Sequence, residues 1–66
     1  MHVADIVLDQ VARRGPVSAK DIAFVSFFEV DQVLVGIRIS EEQGLIRKSE
    51  LVSSDPELQT WVLAVS

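Results

Sequence analysis

Residues 21–46, DIAFVSFFEVDQVLVGIRISEEQGLI, read as a helix, a tight turn, a longer helix and the start of a strand. The longer helix is expected from Glu29 or Val30 to Gln43, with Gly44 as a left-handed cap. Within it Val30, Val33, Ile37 and Ser40 follow the i, i+3, i+4 rule and should face a core. Leu34 falls at the edge of that face. Val35 and Ile39 form an i, i+4 pair on the far side, among Asp31, Arg38 and Glu42, so the helix has two apolar sides. Gly36 in its interior costs about 1 kcal/mol relative to Ala, which either plain tolerance or a close helix approach would explain.

Towards the N-terminus, His2 to Arg14 has helical periodicity, with Ala4, Val7, Leu8 and Val11 on one face and Asp5 and Asp9 opposite. Ile6 is the exception, about 150° from the centre of the apolar face. Arg13 and Arg14 suit a helix C-terminus, and Gly15-Pro16 ends the segment. Pro16-Val17 leaves room for a very short extended segment. Ser18 is a good N-cap for a short helix from Ala19 to about Val25, with Asp21 in its first turn and Ala19, Ile22 and Ala23 inward. Phe24 and Val25 then fall where a solvent-facing helix would carry charge.

Towards the C-terminus, Leu45 to Val52 and Leu58 to Val65 read as two strands of a hairpin. They are joined by Ser53-Ser54-Asp55-Pro56-Glu57, with Asp55 and Pro56 at the first two positions of a type I turn. Trp61, Leu63 and Val65 alternate with Thr60, Val62 and Ala64, so one face should be large and buried. Arg47 and Lys48, being adjacent, point to opposite faces.

Composition limits what these elements can do. A single domain spanning residues 1–66 buries only about 60% of the surface its unfolded chain exposes, so its stability is marginal unless something adds to it. The chain has no cysteine and a single histidine, His2, which leaves association as the route to further burial. Apolar residues make up 48% of the chain and mean hydropathy is +0.32, a high value for so small an interior. Ten carboxylates against six Lys and Arg give a net charge of −4, the wrong sign for a domain that holds nucleic acid through bulk electrostatics. No apolar run approaches the roughly 20 residues of a membrane span, and no signal-peptide pattern occurs, so the expected location is cytoplasmic. With no Cys, no Tyr and no pair of titratable groups held in a pocket, an enzyme is not expected; nor are a cofactor, a metal or a small-molecule substrate.

The order helix, short strand, helix, turn, helix, hairpin resembles the winged helix-turn-helix family over essentially the whole chain. The carrying residues are Gly15-Pro16-Val17-Ser18-Ala19-Lys20-Asp21-Ile22-Ala23, similar to the family's lead-in to its second helix, and Glu41-Glu42-Gln43-Gly44-Leu45-Ile46, similar to its exit from the recognition helix. The resemblance implies an α+β fold of three helices and a two-stranded wing, with a short third strand near Val17. It departs from the family at Phe27, where a turn Gly is common, and at Ser26, where a buried aliphatic residue is common.

The resemblance implies a small DNA-binding transcription regulator acting as a dimer, with Lys20, Gln32, Arg38, Arg47 and Lys48 as the contacts to double-stranded DNA. Only Gln32 and Arg38 suit direct base readout, of adenine and guanine respectively. The residues themselves support a second reading: a winged-helix protein-interaction module or co-regulator, using Phe24, Phe27, Leu34, Val35 and Ile39 against another copy or another protein. Phe28 is expected in the core, and Trp61 is expected to plug the sheet rather than serve as a stacking platform.

Overall fold

A computed structural model describes residues 2–64. The chain forms α1 (Val3–Arg14), β1 (Val17–Ser18), α2 (Ala19–Ser26), α3 (Val30–Glu42), β2 (Ile46–Lys48) and β3 (Thr60–Leu63). The fold is a small α+β arrangement of three helices and a three-stranded antiparallel sheet in the order β1-β3-β2. Register is set by Val17 opposite Trp61 and by Ile46, Lys48 opposite Leu63, Trp61. No helix among the described residues is long and apolar enough to cross a membrane.

Each helix boundary has a local cause. His2 Nδ1 accepts the Ala4 amide at 3.1 Å at the start of α1. Ser18 Oγ accepts the Asp21 amide and Asp21 Oδ2 accepts the Ser18 amide, both at 3.2 Å, closing a capping box on α2. Helix α2 ends at Phe27, whose backbone is left-handed at φ 63° while its amide donates to the Ala23 carbonyl. Helix α3 ends in a Schellman arrangement: Leu45 donates to the Ser40 carbonyl, Gly44 to that of Glu41, and Gly44 takes φ 75°.

The core is Val7, Val11, Val17, Ala19, Ile22, Val33, Ile37, Ile46 and Trp61, drawn from every element. On α3, Val33, Ile37 and Ser40 are buried at the expected spacing, whereas Val30 is half-buried. Gly36 is buried because α1 lies directly on it: a Cβ there would stand 3.0 Å from Val7 Cγ2. Of the two explanations for this glycine, the close helix approach holds.

Three expectations need correction. Ile6 does not point free of the fold but is half-buried against the core, because α1 packs on α3 and on the sheet together and so buries an arc wider than one stripe. The strands are shorter than Leu45–Val52 and Leu58–Val65. The Ser49 amide still donates to the Thr60 carbonyl, but beyond it side chains take over from the ladder. Gln59 Oε1 accepts the Ser53 amide at 2.8 Å, and its Nε2 donates to the Leu51 carbonyl at 3.1 Å. Finally, Trp61 is buried as expected and Leu63 only half-buried, while Val65 lies outside the described residues.

Candidate interaction surface

The five polar candidates are all exposed, but they do not converge. Arg38 of α3 and Lys48 of β2 line one cleft of about 480 Å³ between α3 and the β2–β3 loop, together with Glu41, Ser53, Ser54 and Pro56. Its inner wall is Leu34, Ile37 and Trp61, and Gln59 closes it on the loop side. Arg47 stands on the other face of the sheet, beside Val62, because adjacent strand residues alternate. Lys20 opens α2, where its amide donates to the Glu57 carbonyl at 3.2 Å and ties the helix start to the loop. Gln32 Oε1 accepts the Glu29 amide at 3.1 Å, so the oxygen that a bidentate adenine contact needs to accept from the base is engaged in capping its own helix.

The electrostatics of α3 run against phosphate. Glu29, Asp31, Glu41 and Glu42 are exposed on the helix and its cap, with Arg38 as the one cation among them. Among the described residues the sole ion pair is Arg13 with Asp9, an exposed i, i+4 contact at 2.9 Å that contributes a few tenths of a kcal/mol at most. Arg38 and Lys48 therefore have no carboxylate partner among the described residues.

The apolar candidates divide differently. Phe24 is 84% exposed, Phe27 95% and Val35 55%, so the end of α2, the turn and the outer side of α3 each present a large apolar group. Leu34 and Ile39 are half-buried, Leu34 packing against the core. Phe28 is also half-buried on the core. This follows from the turn: Ser26 Oγ donates to the Ile22 carbonyl and accepts the Phe28 amide, leaving Phe27 at the apex with nowhere inward to go. Phe24 borders a recess of about 400 Å³ shared with Gln10, Arg14 and Val25, and the buried Gln10 Oε1 has no donor there among the described residues.

Two features escaped the sequence reading. Leu51 and Val52, expected within a strand, are 77% and 75% exposed on the β2–β3 loop; the run Lys48-Ser49-Glu50 ahead of them is the signal that the strand has ended. Gln59, only 2% exposed, organises that loop, and nothing in its position after a turn distinguishes it from a solvated Gln. Comparison with protein-family models, curated proteins and solved structures yields no match for this chain.

Proposed function

We propose that this chain is a winged-helix domain that works as a protein-interaction module, pairing with a second copy through the end of α2, the α2–α3 turn and the outer side of α3. The element order and the short α2–α3 connection support the winged-helix reading. In it β2, β3 and their loop form the wing. The observation that carries the functional reading is Phe27. A non-glycine residue in the left-handed region costs about 1–2 kcal/mol, and a fully exposed phenyl ring recovers none of it within one protomer. A backbone cost of that kind, held where a ring is displayed, fits a contact made outside the chain. Phe24 and Val35 supply further apolar area, and a domain this small gains the most from burying it.

The test is sedimentation of the whole chain across a range of concentrations. Wild type should associate, and Phe24→Ser with Val35→Lys should be monomeric, with an unchanged melting temperature at concentrations low enough that wild type is itself a monomer. A wild-type monomer at about millimolar concentration, weaker than a −4 kcal/mol association, overturns the reading.

A regulator that binds DNA is the second reading, favoured by the meeting of Arg38 and Lys48 between α3 and the wing. Duplex binding at low salt that is lost in Arg38→Ala and kept in Val35→Lys would establish it in place of the first.

A further inference from the structure

The cleft between α3 and the β2–β3 loop has a composition that neither the apolar pairing surface nor a plain solvated groove accounts for. Its inner wall is apolar, made by Leu34, Ile37 and Trp61, and its charged groups are Arg38, Lys48 and Glu41. Two cations against one carboxylate leave the cleft with one positive charge, and no ion pair within the described residues neutralises it. The loop wall is held in place from behind by the Gln59 hydrogen bonds to Leu51 and Ser53, so the cleft exists before anything enters it. A volume of about 480 Å³ lies in the range of sites for small organic ligands.

We propose that this cleft binds a small monocarboxylate with an aromatic or branched aliphatic body. The body lies on Leu34, Ile37 and Trp61, and the carboxylate meets Arg38 and Lys48. Charge-assisted hydrogen bonds to an anion are the strong ones, and Glu41 disfavours ligands carrying a second negative charge. The site uses none of Phe24, Phe27 or Val35, so it stands or falls separately from the pairing surface.

Trp61 is the single tryptophan of the chain, which gives the test a site-specific reporter. The indole N–H resonance of the nitrogen-15-labelled full chain is followed while 3-phenylpropanoate or 4-methylpentanoate is added, with 3-phenylpropanamide as the uncharged match. Saturable displacement by the acids is expected, with the amide about tenfold weaker or worse and Arg38→Gln and Lys48→Gln each weakening the acids about tenfold. In both variants the melting temperature of the free protein should match wild type, which shows that the fold is kept. No saturable shift by about 10 mM acid, equal binding of acid and amide, or indifference to Arg38→Gln overturns the proposal. A short DNA duplex that moves the resonance where the acids do not also overturns it, and assigns the cleft to phosphate.

Discussion

Gly36 of α3 and Val7 of α1 touch so closely that a Cβ on the glycine would stand 3.0 Å from Val7 Cγ2 and 3.3 Å from the Val3 carbonyl. Two effects oppose each other in Gly36→Ala. Helix propensity favours the alanine by about 1 kcal/mol. Overpacking a filled interior costs about 1–3 kcal/mol, and Val7, with no exposed surface, has nowhere to retreat. Both contacts belong to α1, so the helix must shift as a whole. We expect a net loss of about 1 kcal/mol, read as a lower urea midpoint at constant slope. Adding Val7→Ala to Gly36→Ala should cost less than Val7→Ala costs in wild type, because the new methyl fills part of the cavity.

Phe27 offers the opposite trade. Its left-handed backbone is one that glycine adopts freely, and its ring makes little contact within the chain. Phe27→Gly should therefore stabilise the monomer, by about 0.5–1 kcal/mol after the greater freedom of the unfolded glycine is deducted. If the ring belongs to the pairing surface, the same variant associates more weakly. Thermal melting at low concentration and sedimentation at high concentration separate the two effects. A variant that melts lower would show that the ring supports the fold of the protomer.

Ser18 and Asp21 hold the start of an eight-residue helix, too short to form without help. Ser18→Ala removes the acceptor for the Asp21 amide and should cost about 1 kcal/mol. Asp21→Ala loses only the reciprocal bond and should cost less. The order of the two urea midpoints checks this, and equal or inverted midpoints would show that the cap contributes little beyond the sheet pairing of Ser18 with Thr60.

The elements were legible where one physical rule governs them. The spacing Val33, Ile37, Ser40 located the buried side of α3, Ser18 located the start of α2, and Gly44 located the left-handed turn that ends α3. The sequence also marked Phe27 as standing where a glycine is usual, and it is there that the backbone takes positive φ. Legibility failed where tertiary partners decide. Ile6 is drawn in because α1 is packed on two sides. The strands end early because Ser49 and Gln59 side chains bond the loop backbone, a competition that apolar alternation in Leu51 and Val52 does not report. For the candidate surface, residue types gave exposure for Phe24, Phe27 and Val35, but only the fold brings Arg38 to Lys48 and sets Arg47 on the opposite face.

Gln59 is the residue on which the β2–β3 loop depends. Its amide oxygen accepts from Ser53, and its nitrogen donates to the carbonyls of Leu51 and Thr60, with almost none of the side chain exposed. Gln59→Ala removes all three bonds at once. The Leu51 and Ser53 groups lie near the surface and regain water, so the global cost should be about 1–2 kcal/mol rather than the sum of three buried losses. The local effect should be larger in proportion. Amide exchange at Ser53 should accelerate towards the rate of an open chain, while exchange at Ile37 in α3 follows only the modest global change. Gln59→Glu tests the donor half separately, since it keeps an acceptor for Ser53 but sets a carboxylate oxygen against the Leu51 and Thr60 carbonyls. It should destabilise more than Gln59→Ala at neutral pH and recover in part as acid protonates the carboxyl group. If Ser53 stays as protected in Gln59→Ala as in wild type, the loop is held by Ser49 and the Asp55 turn instead, and the cleft wall does not need Gln59.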